Sequence, residues 1–303
     1  MKKNTVKLLL IVTLLLSMLI LAACQNSPAV VTDGPTSATG ATDTPSPTAQ
    51  SEPTSTPTET PIPATPTPVL PDVSPEDFDP KDFFSDVVYC GDSVLAHFEW
   101  QGPYKREDWY GKFSTTNWLV SISNSVRYSL SEENHAEEPQ YKGETAKLWK
   151  VIPQIGKSRV LMFFGLNDIG PTGVDKFMEN YDALINKIKA AAPDVKIYIM
   201  SLTPVLAGKE VFHADGSGLN NVNVMEANRR LEIYAKEKGY GYIDVATPFR
   251  DENNALKPEY SDGTNVHFKL KPEYPDNPYK LWDEILLPYA QNQLMEEYLD
   301  TFR

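Results

Sequence analysis

Asp86-Val87-Val88-Tyr89-Cys90-Gly91-Asp92-Ser93 is an apolar run that stops abruptly at Gly-Asp-Ser. Val87 to Cys90 shows no polar alternation, which reads as a strand buried on both faces, as in a parallel sheet. Its carboxyl end delivers a serine. In open α/β sheets the crevice outside the carboxyl ends of the strands is where ligands bind. Gly-Asp-Ser is also ordinary turn material. The serine therefore gains meaning only if the rest of the chain supplies a base for it and donors for an oxyanion.

Working outward, the same kind of strand recurs. Arg159 to Phe164 is a second buried run, broken by Gly165-Leu166-Asn167-Asp168. Beyond Pro171, Val174, Phe177, Met178, Tyr181, Leu184, Ile185 and Ile188 follow the spacing of an amphipathic helix. Lys196 to Met200 is a third strand and leads into Ser201-Leu202-Thr203-Pro204. A helix from about Val222 to Lys238 is stopped by Gly239, and Tyr242 to Val245 is a fourth strand. Trp118-Leu119-Val120 fits a short strand or helix, and Thr145 to Val151 a helix. A last helix spans about Tyr279 to Leu299, where Pro288 is expected to kink or divide it. Strands alternating with helices specify an α/β fold with a parallel sheet covered on both faces. Right-handed crossovers then bring Ser93, Asn167, Thr203 and the loop after Val245 to one edge.

The amino terminus reads as an address. Met1 to Lys7 is basic, Leu8 to Leu21 is apolar, and Ala22-Ala23-Cys24 follows. That is the pattern of a signal peptide, and the run is short for a membrane span. Leu21-Ala22-Ala23-Cys24 resembles the lipobox of bacterial lipoproteins, which implies cleavage before Cys24 and a diacylglycerol on its thiol. The expected division is a signal peptide over 1–23, a lipidated cysteine and linker over 24–74, and a folded domain over 75–303. The linker is Pro, Thr, Ser and Ala with scattered acids and almost nothing to bury, so it is expected to stay disordered or extended. As a coil it spans on the order of 40 Å. The domain would thus stand outside the cytoplasmic membrane, tethered by two acyl chains. The formal net charge of −13 argues against nucleic acid as a partner. Of the two cysteines, Cys24 and Cys90, only Cys90 is left as a thiol, so no disulfide holds the domain together.

Four histidines are available as a base: His97, His135, His213 and His267. His267 follows Asp262-Gly263-Thr264-Asn265-Val266 and precedes the last helix. It has a carboxylate nearby and belongs to the edge where the strands end. Asp262 is placed to hold its tautomer, as the third member of a triad does. The backbone N–H of Ser93 and the amide of Asn167 would supply two oxyanion donors. No metal or cofactor is implied, because the histidines are scattered and no Cys/His pair has ligand spacing. The aromatics between Phe98 and Trp118 suit core packing or, if exposed near Ser93, sugar rings.

Taken together, Gly91-Asp92-Ser93, Gly165-Leu166-Asn167-Asp168 and Asp262…His267 before a closing helix resemble the SGNH, or GDSL-type, hydrolases. The resemblance covers roughly residues 85 to 300. It implies a three-layer α/β/α, flavodoxin-like fold and hydrolysis of esters, often acetyl groups on carbohydrate. By that resemblance Ser93 is the nucleophile, Asn167 an oxyanion donor, His267 the base and Asp262 its partner, with an acylated carbohydrate as substrate. Two departures stand out. The family usually has two residues between aspartate and histidine, whereas four intervene here, so Asp262 is expected to be displaced and the triad reduced toward a dyad. A second-block glycine that completes the oxyanion hole is also not evident between Leu95 and Lys150. Gly111 and a backbone N–H near Ser114 to Asn117 are the candidates. An acyltransferase using the same serine, and a non-catalytic glycan-binding lipoprotein, stay open as alternatives.

Overall fold

The segments that read as doubly buried strands form the middle of the sheet. A computed structural model describes residues 70–101, 117–269 and 277–303. The expected signal peptide, Cys24, nearly all of the linker, Gly111 and Ser114 lie outside the described residues. After a 3₁₀ turn at Pro75–Asp77 and a short helix α1 (Pro80–Phe84), strand β1 (Val87–Gly91) enters with every residue buried. Helix α2 (Ser93–Gln101) starts directly at the serine. Strand β2 (Trp118–Val120), helix α3 (Val126–Leu130) and a two-stranded ribbon, β3 (Gln140–Tyr141) and β4 (Glu144–Thr145), follow. Then come helix α4 (Leu148–Ile155), strand β5 (Arg159–Phe163), helix α5 (Leu166–Ala191) and strand β6 (Lys196–Met200). Helix α6 (Asn221–Lys238), strand β7 (Gly241–Ile243) and helix α7 (Lys280–Asp300) complete the domain.

The five-stranded sheet has the order β2-β1-β5-β6-β7 and is parallel throughout. From β1 the chain first steps outward to β2, and then builds β5, β6 and β7 on the other side. Right-handed crossovers therefore put α2 on one face and α5 and α6 on the opposite one. Helix α7 shares the face of α2, where Phe98 meets Tyr279 and Trp282 with ring centroids at 5.4 and 5.0 Å. This is the flavodoxin-like three-layer α/β/α arrangement. Its strand order reverses between β1 and β5, and such a switch point opens a crevice at the carboxyl ends of the two strands.

Several boundaries differ from the sequence reading. Helix α4 starts at Leu148 because Glu144 and Thr145 are taken by the β3–β4 ribbon. Helix α5 starts at Leu166, not after Pro171. Pro171 sits in an opening segment that ends at Gly173 (φ 73°, ψ 169°), where the backbone leaves helical geometry before resuming. Helix α7 runs through Pro288 undivided, with Trp282, Leu286 and Ala290 buried on either side of it.

Candidate active site

Two glycines let β1 and β5 end where they do. A side chain at Gly91 would put its Cβ 2.9 Å from the carbonyl oxygen of Phe163 on the neighbouring strand. Gly165 has φ 146°, and a Cβ there would lie 2.6 Å from Leu202 Cδ1 and 2.8 Å from Phe177 Cζ. The first allows close strand approach and the second a backbone turn that L side chains rarely adopt. Each strand can then hand over at once to a helix. Asp92 caps α2 by accepting the Val94 N–H at 2.9 Å, and Ser93 is the first helical residue. The N–H of a first helical residue has no intrahelical acceptor.

Ser93 Oγ lies 2.8 Å from His267 Nε2, across 174 residues of sequence. His267 is held by its neighbours. Val266 and Phe268 are buried, and the Phe268 ring stacks on Phe249 with centroids 4.3 Å apart. Alternation along Val266-His267-Phe268 then turns the histidine outward to the serine. The Leu206 N–H donates to the Asn265 carbonyl at 2.7 Å, tying this loop to the exit of β6. Burial pushes the His267 imidazole below its ordinary pKa, and the charge of Asp262 partly restores it. His97, one helical turn beyond Ser93, faces the same ring at a centroid distance of 4.8 Å, and burial brings it down to about 4. The other two histidines serve elsewhere: His135 lies against the Tyr128 ring, and His213 bonds Ser217 in an exposed loop.

Asp262 does not touch the imidazole directly. It pairs with His267 as the rim of a tight hairpin, its N–H donating to the His267 carbonyl at 3.1 Å. The four intervening residues are the hairpin loop. Within it, the Thr264 hydroxyl lies 2.6 Å from Asp262 Oδ1 and 3.2 Å from His267 Nδ1. The expected displacement of Asp262 is thus observed, with a threonine standing between carboxylate and base. Nothing in the motif spacing marked Thr264; only closure of the hairpin brings it to the ring.

Asn167 leaves the end of β5 on the second residue of α5, half-buried, and its Nδ2 donates to the Asn124 carbonyl at 3.0 Å. One amide hydrogen is fixed by that bond, and a second is left for an oxyanion. Asn124 belongs to the loop at the exit of β2, where the Ser121 N–H donates to the Gly91 carbonyl and Asn124 Nδ2 to the same oxygen. This loop, 121–125, is thus bonded both to the end of β1 at Gly91 and to Asn167. Asn117, the described end of the earlier donor candidates, precedes β2 and lies at the opposite edge, accepting from the Tyr89 N–H. The left-handed position in the exit loop is Ser123, at φ 61°. Serine holds this conformation at some cost.

Asp168, beside Asn167, is buried and accepts the N–H groups of Val126 and Arg127 at 3.1 and 3.2 Å. It caps α3 and so locks the β2 exit to the β5 exit. Two carboxyls are thereby buried under the serine. Burial raises Asp92 to about 8, with the backbone N–H of Val94 opposing and Asp168 adding, and raises Asp168 to about 6.

A family model described as the GDSL-like lipase/acylhydrolase family matches residues 90–271. Among solved structures, a GDSL-like lipase from Bacteroides thetaiotaomicron VPI-5482 is similar at 15% identity, covering 72% of this chain and 94% of that one, with a TM-score of 0.48. A carbohydrate esterase family 3 protein from Talaromyces cellulolyticus is similar at 12% identity, over 71% of this chain and 98% of that one, with a TM-score of 0.44. A member of the lipolytic G-D-S-L family from Veillonella parvula DSM 2008 is similar at 16% identity, over 69% and 97%, with a TM-score of 0.39. No curated protein matches the chain.

Proposed function

This chain belongs to the GDSL-like lipase/acylhydrolase family, and from that premise we propose that it is a serine ester hydrolase acting on acylated carbohydrate. The observation that carries the reading is the 2.8 Å contact between Ser93 Oγ and His267 Nε2 at the switch point of the sheet. His267 takes the serine proton as Oγ attacks the acyl carbon, since a serine hydroxyl needs such a base. The oxyanion that forms is met by the Ser93 N–H and by Asn167 Nδ2. Collapse expels the sugar hydroxyl, protonated by His267, and leaves an acyl-serine. Water, activated by the same imidazole, then releases the carboxylic acid.

Carbohydrate as the alcohol is supported by the outer face of α2. Ser93, His97 and Trp100 follow at i, i+4 and i+7, which is one helix face. Trp100 is 39% exposed, and its ring centroid lies 5.3 Å from that of His97. An indole offers an apolar face with a polar edge, the combination a sugar ring presents in return. The Cys24 lipobox and the Pro/Thr/Ser-rich stretch support an extracytoplasmic domain, tethered to the membrane by lipid and within reach of wall or exogenous glycan.

The test is p-nitrophenyl acetate hydrolysis by the full chain in detergent. Ser93→Ala and His267→Ala are each expected to lose activity by a factor on the order of 10⁴ or more. Trp100→Ala should raise KM for acetylated xylan and leave p-nitrophenyl acetate kinetics unchanged. Wild type no faster than Ser93→Ala would end the hydrolase reading.

A further inference from the structure

We infer that Thr264 is a positioning residue of the site, and that its hydroxyl passes the orienting effect of Asp262 to His267 in a four-residue chain Ser93–His267–Thr264–Asp262. The inference rests on the serine hydrolase reading above. The hydrogen-bond directions follow from chemistry alone. An ionised carboxylate only accepts, so at 2.6 Å from Asp262 Oδ1 the Thr264 hydroxyl must donate to it. A hydroxyl has one proton. Toward His267 Nδ1, at 3.2 Å, the same oxygen can only accept. Nδ1 therefore carries the ring proton, Nε2 is bare, and Nε2 faces Ser93 Oγ at 2.8 Å as a base must. Reversing any one bond reverses the rest and leaves a protonated nitrogen aimed at the serine.

The turn around Thr264 is built for this. Its own N–H donates to Asp262 Oδ1 at 2.8 Å, and the Gly263 N–H donates to Ser261 Oγ at 3.0 Å. Gly263, at φ 95°, lets the chain reverse between them. Carboxylate and hydroxyl are both exposed, so the long-range pull of Asp262 on the imidazolium is screened by water. Orientation and tautomer choice are what the network contributes most. Among the described residues, the groups facing His267 are Ser93 and His97 from α2, and Thr264 and Asp262 from its own hairpin.

The experiment compares Thr264→Val, which keeps shape and loses the hydroxyl, with Thr264→Ser, which keeps the hydroxyl. Asp262→Asn and Ser93→Ala accompany them, all in the full chain. Thr264→Val should lower kcat by about 10- to 100-fold at nearly constant KM, the usual cost of losing a group that orients another. Its acidic limb should move to lower pH, because the link that favours imidazolium is cut. Thr264→Ser should keep wild-type kcat within about threefold and the wild-type pH limb, since the hydroxyl survives. Adding Asp262→Asn to Thr264→Val should cost little more, as expected for residues acting as one unit. Ring ¹⁵N shifts of His267 should report Nδ1–H in the wild type, which decides the matter even if Thr264→Val fails to fold. Wild-type kcat and pH limb in Thr264→Val, equal losses in the Ser and Val variants, or an Nε2–H tautomer in the wild type would each overturn the inference. If Ser93→Ala is inactive in those cases, the hydrolase reading survives without it. An active Ser93→Ala would instead remove both.

Discussion

Ser93 and Asn167 leave the ends of β1 and β5, strands buried along their whole length. Asp262, Thr264 and His267 belong to a hairpin loop in which Asp262 and Thr264 face water. The first half of the site is positioned by the sheet. Strand register, two tight glycines and the Asp168 cap fix it, so its atoms move only if the core moves. The second half is positioned by local turns pinned at Val266, Phe268 and the Leu206–Asn265 bond. Its task is proton order, which depends on which hydroxyl or carboxylate is present more than on the core. Changes to the sheet half should therefore alter stability and oxyanion binding. Changes to the hairpin half should alter the pH at which the base works.

Short of removing Ser93 or His267, the largest expected effect separates the two halves by kinetics. Asn167→Ala removes an oxyanion donor and should lower kcat by about 10²- to 10³-fold, on the scale of losing one such donor. KM should change little, and the acidic limb should stay where the wild type has it, because nothing bonded to His267 is touched. Were Asn167→Ala to shift that limb as Thr264→Val is expected to, the division between the halves would be wrong.

Gly91→Ala probes the sheet half through its backbone. The new Cβ meets the Phe163 carbonyl, a backbone atom that cannot rotate away, as well as Leu95. Overpacking of this kind costs about 1–3 kcal/mol, and in a domain of this size each kcal/mol lowers Tm by roughly 2–4 °C. Melting followed by circular dichroism should show a loss of that order. An unchanged Tm would mean that β1 and β5 are not as closely locked as the geometry requires.

What the sequence discloses follows the same division. β1, β5 and β6 are legible because burial on both faces writes itself as unbroken apolar runs. β2 stays ambiguous: three residues at a sheet edge, only the middle one buried, carry too little pattern. The opening of α5 is hidden because Pro171 reads as a breaker and Gly165 as the start of a loop, whereas the chain turns at Gly165 straight into the helix, which then leaves helical geometry at Gly173. Ser93, Asn167 and His267 stand out, since each sits at a strand end or in the last loop. Thr264 does not, because its role exists only once Asp262 and His267 close a hairpin.

The two halves also differ in how pH acts on them, and Asp92 isolates the difference. Its carboxyl is fully buried under Ser93 and raised by burial to about 8, so it holds its proton at neutral pH. In the unfolded chain an aspartate has a pKa of about 3.9. Between those two values the folded state binds a proton that the unfolded state has lost. By linkage, this group's contribution to stability is intact below about pH 4 and falls as pH rises toward 8. The side-chain amide of the variant Asp92→Asn would not titrate, and it retains an oxygen to cap the Val94 N–H. The Tm of Asp92→Asn relative to wild type should therefore climb steadily from acid pH to about 8 and then level off, with little difference in kcat at pH 7. A Tm difference that stays constant over that range would mean that Asp92 ionises in the fold as it does in water. The sheet half would then carry a negative charge beneath the oxyanion. A difference that climbs as expected leaves the exposed Asp262 of the hairpin half as the carboxylate that acts, through Thr264, on the base.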